Sequence, residues 1–379
     1  MKNEFLEFYG KHNISLDAHD VSDLELHYSR RKKLYRQCGI PQLAFRDAEI
    51  LEVGPGSGYN TLAFFHWDCK HIDLVEANAK GIEGMHNLFN KYEIDKEKYE
   101  IFPCKIEDYH TEKKYDIIIM EGFLHSLSNN KEIIDYCKKL LKKNGIMVIT
   151  CADDIGEFIE SLKRLISVVL LKDIKTYDEK VEYLSDLFKG QLKALGEGTR
   201  SAKDWVQDNI LSPAPINGVE FSIYKALEYF EEDFQLLGSS PNLFTDYSWY
   251  KNVNFNIYSD YKQQFIGKQC TLLMANMKEI IIPICESEKI VKLIREIRKM
   301  AIEYERSLKQ NCLSVIVSKL NELKAYDFKV LGVSELLKIR DEKRYRIVVK
   351  SKSFDQLQQV IYDLYQKHRL SKNRVKLHI

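Results

Sequence analysis

Three glycines spaced two apart, Gly54, Gly56 and Gly58, follow the apolar residues Ile50, Leu51 and Val53 in the stretch EILEVGPGSGYNTLAFF. Glycine takes left-handed backbone without strain and has no Cβ, so such a turn brings the chain close to a ligand where any other residue would collide. Glu52 stands two residues before the first glycine, and Glu76 closes the next apolar run, IDLVE. Roughly twenty residues beyond a glycine loop is the spacing at which a carboxylate accepts the hydroxyls of a ribose. A third run, YDIIIME, ends at Glu121 and is followed by Gly-Phe-Leu-His125. The ordinary pKa of an imidazole lies close to working pH, so His125 is a candidate to take a proton from an acceptor hydroxyl. The set suits a nucleotide-type ligand beside a proton acceptor.

Holding these residues together calls for a particular framework. Strands are predicted over Ala48–Val53, His71–Glu76, Tyr99–Pro103, Tyr115–Glu121 and Gly145–Thr150, with helices near 59–66, 80–92 and 130–142. Such alternation implies an α/β fold, a doubly wound and mostly parallel sheet with helices on both faces, whose ligands sit at the carboxyl ends of the strands. Gly54, Glu76, Glu107 and Glu121 fall at or just beyond those ends. Residues 1–46 read as two or three short helices that stop at Gly39 and Pro41. After the fifth strand, residues 153–235 form a helical insert in which DIGEFIESLKRLISVVLLK and TYDEKVEYLSDLFKGQLKAL repeat apolar residues at three and four. The sheet is expected to resume with FQLLGSS and QCTLLMANM and to complete a domain over 47–280. From 281 to 379 a small basic α+β domain is expected. Its first helix carries Ile290, Leu293, Ile294, Ile297 and Ala301 on one face, and KRYRIVVKS, FDQLQQVIYDLYQKH and NRVKLHI read as strand, helix and strand.

Through E-V-G-P-G-S-G at 52–58, the acidic strand end at Glu76 and the block YDIIIMEGFLH at 115–125, the sequence resembles the class I S-adenosylmethionine-dependent methyltransferases, which have a Rossmann-like fold. The third glycine follows the second after one residue and an acid precedes the first by two, which separates this loop from that of the dinucleotide dehydrogenases. The resemblance implies S-adenosylmethionine as cofactor and a late antiparallel strand pair. It implies cofactor contacts from Glu52, Gly54, Gly56, Gly58, Glu76, Ala77 and Glu121, and from Tyr28 in the N-terminal cover, where Arg30 and Arg31 are further candidates for its carboxylate. In the family an acidic residue precedes the adenine contact; Lys105 occupies that place, so the Ile106 backbone with Glu107 or Asp108 is expected instead. No metal is expected, because the sulfonium already activates the methyl group and the protein has mainly to align the acceptor.

After Glu121 there is neither an N-P-P-Y nor a D-P-P-Y motif, and no Pro-Cys pair, which argues against the commonest base methyltransferases. Trp205, Tyr224 and the run NLFTDYSWYKN bring aromatic faces suited to a sugar, and the insert with this run is similar to methyltransferases found among bacterial surface-polysaccharide genes. The acceptor expected is therefore a hydroxyl or amine of a small molecule, with a sugar or glycan precursor among the candidates. Three alternatives stay open: RNA methylation using the basic C-terminal domain, transfer of the cofactor's aminocarboxypropyl group, and a non-catalytic cofactor-binding protein.

Composition bounds the rest. The 379 residues, 45% of them hydrophobic, suit a globular protein of two or three domains. Eight scattered cysteines without a C-x-x-C pair fit small buried hydrophobes in a reducing compartment. MKNEFLEFYGKHN lacks an apolar core of signal-peptide length and the apolar run Leu165–Leu171 is far too short for a bilayer, so a cytoplasmic protein without membrane segments is expected. Net charge is +1, yet residues 286–379 carry 22 Lys and Arg against 12 Asp and Glu. That asymmetry is the feature that keeps nucleic acid among the possible partners, without favouring it.

Overall fold

The computed structural model describes residues 4–14, 20–194, 200–213, 221–252, 256–273, 281–308 and 310–325. Its chain divides into two compact units, one of residues 1–152 with 219–258 and one of residues 153–218 with those from 259 onward.

In the first unit α1 (Glu4–His12) and α2 (Leu24–Gln37) precede β1 (Glu49–Val53). Then α3 (Leu62–His66), β2 (His71–Val75), α4 (Ala79–Lys91), β3 (Tyr99–Phe102), β4 (Tyr115–Met120), α5 (Asn130–Leu140) and β5 (Leu141–Ile149) follow in turn. The strands lie in the order β3-β2-β1-β4-β5 and every pair is parallel. A parallel sheet is covered on both faces, so its strands are rich in apolar residues, which alternate between two cores. Ile50, Ile72, Leu74, Ile117 and Ile119 pack with Phe64, Trp67 and Phe89 on one face. On the other, Leu51, Val75, Ile118 and Met120 pack with Ile133, Ile134 and Phe221.

Register positions the site. Val53 pairs with Val75 and with Met120, and Val75 pairs with Phe102, so the strand ends form one row. Gly54, Glu76 and Glu121 are the next residue on each of the three central strands. The sheet order reverses between β1 and β4, and the crevice outside the carboxyl ends at such a switch point is where α/β sheets bind ligands.

The expected late antiparallel pair is not formed among the described residues. FQLLGSS lies instead against the end of α2. A Cβ on Gly39 would sit 2.5 Å from the Leu237 carbonyl oxygen, one on Gly238 would sit 2.8 Å from that of Gln37, and the Ser240 hydroxyl donates to Gln37 Oε1 at 2.7 Å. Of QCTLLMANM, Gln269–Leu273 forms a 3₁₀ turn and residues 274–277 lie outside the described residues. β5 begins directly after α5, earlier than expected, where Lys142 bonds Asp116 at 2.9 Å and Glu49 at 3.0 Å.

In the second unit stand α6 (Phe158–Leu170), α7 (Tyr177–Ala194) and α8 (Ala202–Val206). The chain returns to the first unit for α9 (Ile223–Phe230), passes α10 (Ile257–Lys268), and ends its described course with α11 (Ile284–Ser307) and α12 (Gln310–Ala325). The unit boundaries differ from those expected. The insert is not part of the sheet unit, nor do the helices after 281 stand by themselves: α6 shares one core with α11 and α12 through Leu162, Leu165 and Ile166, Ile290, Ile294 and Ile297, and Leu313, Ile316 and Leu320. Charge fixes the same packing, with Arg298 and Arg295 on Asp154 and Arg164 on Glu305 at 2.8 Å. The strands and helix predicted beyond residue 326 lie outside the described residues. Among the described residues no helix is long and apolar enough to cross a membrane.

Candidate cofactor and acceptor site

β1 runs straight into the glycine turn, in which Gly54, Gly56 and Gly58 have φ values of +71°, +59° and +77°. This is left-handed backbone that a side chain would strain. Close packing adds a second demand at Gly58, where a Cβ would lie 2.9 Å from Met85 and Phe89 of α4. The turn is tied down from the next strand. Gly54 N–H donates to the Val75 carbonyl at 2.9 Å, Gly56 N–H donates to Glu76 Oε2 at 2.8 Å, and Asn78 N–H donates to Glu76 Oε1 at 2.7 Å. Glu76 therefore joins the loop to the start of α4, whose N-cap is Asn78. Burial raises the Glu76 pKa, and the N–H groups of Asn78, Gly56 and Ala77 oppose that rise. Ala77 itself is exposed between these two clamped positions.

The remaining expected residues are distributed as follows. Glu52 is buried and accepts from the Thr61 hydroxyl at 2.7 Å, so it fixes the exit of the loop. Glu121 is held by α2: Arg31 Nη2 lies 2.9 Å from both its carboxylate oxygens, and the Tyr35 hydroxyl donates to Oε1 at 2.8 Å. Burial opposes the Arg31 charge, but Glu121 more than offsets it and holds the guanidinium protonated above its ordinary range. Burial also raises the Tyr35 pKa, reinforced by Glu121. After Glu121, Gly122 (φ +90°) donates its N–H to the Thr150 hydroxyl at 2.7 Å, and Phe123 reaches back so that a Cβ on Gly54 would meet its ring at 3.1 Å. His125 is half-buried on the short turn Leu124–Ser126. Ile106 is buried, whereas Glu107 is exposed and accepts from Asn129 at 2.8 Å.

Tyr28 stacks on His66 at the end of α3, with ring centroids 4.0 Å apart and 8° between planes. The face of α2 that reaches the site is His27, Arg31 and Tyr35. His27 Nε2 donates to the Tyr59 carbonyl at 3.0 Å, just past the glycines, and the His27 pKa is lowered by burial and then by Arg31. His27 and Tyr35 were missed from the sequence, and their spacing of four was the signal: 27, 31 and 35 form a single stripe of an α-helix. The aromatics expected around an acceptor are divided between the two units. Trp205 packs in the second unit on Phe188, beneath Lys163, while Tyr247, Trp249 and Tyr250 are exposed by 88%, 66% and 79%.

Residues 28–182 match the family model described as a methyltransferase domain. They form a class I, S-adenosylmethionine-dependent methyltransferase domain. Over 153 residues the chain is 27% identical to the histone-arginine methyltransferase CARMER of Drosophila persimilis, covering 40% of this chain, and 26% identical to that of Drosophila virilis. The chain spans about a quarter of the length of these curated relatives, 27% for each. Among solved structures it is similar to the N-methyltransferase NodS of Bradyrhizobium japonicum WM9 in complex with S-adenosyl-L-homocysteine, at 19% identity, 40% of this chain, 75% of that one and a TM-score of 0.32. It is also similar to PKMT2 of Rickettsia typhi, at 18% identity, 63% of this chain, 50% of that one and a TM-score of 0.41. The methyltransferase domain's own residues fit its cofactor class: a loop of left-handed glycines in which a Cβ on Gly58 would lie 2.9 Å from Met85 and Phe89, a buried carboxylate at the end of β2, and the loop itself at the switch point of the sheet.

Proposed function

We propose that this protein transfers a methyl group from S-adenosylmethionine to a hydroxyl or amine of a small-molecule acceptor, with a sugar or glycan precursor among the candidates. The observation that carries the reading is the common row of Gly54, Glu76 and Glu121 beyond the ends of β1, β2 and β4 in a methyltransferase domain. When bound, S-adenosylmethionine supplies a methyl group already activated on a sulfonium. The glycine turn lets backbone approach the methionyl part, and Glu76 accepts the ribose hydroxyls. Ala77, Ile106 and Glu107 line the adenine side. Arg31, oriented by Glu121 and Tyr35, has further N–H donors for the cofactor's carboxylate. His125 takes the proton that the acceptor oxygen or nitrogen releases as its bond to the methyl carbon forms.

A second reading, a nitrogen on a protein side chain as acceptor, is favoured by the similarity to histone-arginine methyltransferases over 153 residues. Calorimetry with S-adenosylmethionine and S-adenosylhomocysteine tests the cofactor. Folded protein that binds neither ends the proposal. Mass analysis after incubation with sugars, small amines and arginine-containing peptides tests the acceptor. A gain of one methyl on a small molecule supports the first reading, a gain on the peptide the second, and a gain of the larger aminocarboxypropyl group overturns both.

A further inference from the structure

At the opposite end of the sheet, where β2 and β3 begin, three ligand-type side chains meet outside the candidate site. The β2–β3 register pairs Asp73 with Glu100, and His71 stands two residues before Asp73, so alternation along the strand puts all three on one face. One donor atom from each, an imidazole nitrogen and two carboxylate oxygens, lies within 4.8 Å of the others. We propose that His71, Asp73 and Glu100 bind a divalent cation of zinc type, which staples the starts of β2 and β3.

The hydrogen bonds around His71 carry the argument. Its Nδ1 lies 2.9 Å from the Glu97 carbonyl, which can only accept, so Nδ1 bears the proton. Nε2, on the other side of the ring, faces Asp73 Oδ1 at 3.1 Å. Lys113 Nζ, 3.1 Å from the same oxygen, is the cation now beside the pair, and a metal ion set between Nε2 and Oδ1 would take its place. An imidazole that donates one nitrogen to a backbone carbonyl and turns the other toward a carboxylate is the arrangement that orients a metal-ligating histidine. With metal bonds of about 2.0–2.1 Å, a nitrogen and an oxygen so spaced subtend about 100° at the ion, as neighbouring ligands do.

The outer groups fit as well. Asp73 is fully buried, and its Oδ2 accepts from the Tyr115 and Tyr109 hydroxyls at 2.5 and 3.1 Å, which fixes the carboxylate and leaves Oδ1 toward His71. Lys113 Nζ also lies 3.1 Å from Oδ1 and 3.0 Å from Oδ2, where it competes with a cation, but its side chain is 52% exposed and can swing into water. Glu100 is exposed at the rim, which leaves an entry path.

The test is the thermal midpoint of the full chain with and without zinc chloride, since a ligand that binds only the folded state raises it. The wild type should rise with zinc, His71→Ala should lose most of that rise, and Glu100→Gln, which alters an exposed group, should keep the fold while losing part of it. Lys113→Met should enlarge the rise by removing the competing charge. Absence of a rise in the wild type overturns the proposal. So does a rise of equal size in His71→Ala and Glu100→Gln, which would place the zinc on the cysteines.

Discussion

Glu76 has two tasks that a substitution can separate. Its oxygens each accept a backbone N–H, from Gly56 and from Asn78, and a charged acceptor is also what ribose hydroxyls need. Glu76→Gln retains the shape but turns an amide NH₂ toward one of those N–H groups. Its affinity for S-adenosylhomocysteine should therefore fall by about 1–3 kcal/mol in calorimetry. An unchanged affinity removes Glu76 from the ribose. Gly54 and Glu76 were legible in the sequence because backbone conformation and a charge at a strand end each demand one residue type. The Arg31 and Tyr35 contacts were not, since their partner Glu121 lies 90 and 86 positions away along the chain and a basic helix looks solvated until its neighbour is known. Tyr28 is expected, with Arg30 and Arg31, to meet the cofactor's carboxylate, but its ring stacks on His66 instead.

Between elements, α4 bears on the loop through a small residue. A Cβ on Gly81 would lie 2.9 Å from the Gly56 carbonyl oxygen, which the Glu76 clamp holds in place. Alanine favours a helix by about 1 kcal/mol over glycine. Gly81→Ala should thus leave the thermal midpoint near its original value while weakening cofactor binding about tenfold, as the displaced loop leaves its row; equal affinity would mean that the loop moves freely. In the second unit, burial lifts the Asp153 carboxyl to about 6 from 3.8. A raised carboxyl pKa adds stability that is fully present below the unfolded value and is lost as pH rises through 6, leaving an ionised buried group that costs about 3 kcal/mol at neutral pH. Asparagine can still accept the Ile155 N–H, made at 3.0 Å. Melting of Asp153→Asn should accordingly exceed wild type at pH 8 and converge with it near pH 4, and an advantage that persists unchanged at pH 4 contradicts the assignment. Most of these elements were legible from periodicity. The late strand pair was not, because FQLLGSS has the apolar content of a strand and its destination is decided by the close approach of Gly39 and Gly238.

Across the whole molecule, the sheet order follows from the alternation of strands and helices with right-handed crossovers, so it could be anticipated. The partner of the insert could not: an amphipathic face announces that it must be covered without saying by what, and α11 carries an equally general stripe. The residues proposed to hold the cofactor all belong to the first unit, and Ala152 N–H bonds the Phe221 carbonyl at 3.3 Å, so the chain leaves and re-enters that unit at adjacent points. A shortened chain ending at Tyr258, with residues 153–218 replaced by a few glycines, should still bind S-adenosylhomocysteine in calorimetry; loss of binding from a chain with native circular dichroism would show that the second unit completes the cofactor site. The aligned row of strand ends has a different consequence, for the gene. A strand advances about 3.3 Å per residue and turns alternate side chains to opposite faces. One extra codon within 71–75 would therefore carry Glu76 out of its row and exchange the two cores of β2 with each other, whereas codons gained or lost between 152 and 221 leave every paired strand residue where it was. Length variation in this lineage should accordingly gather at that one seam and spare the strands.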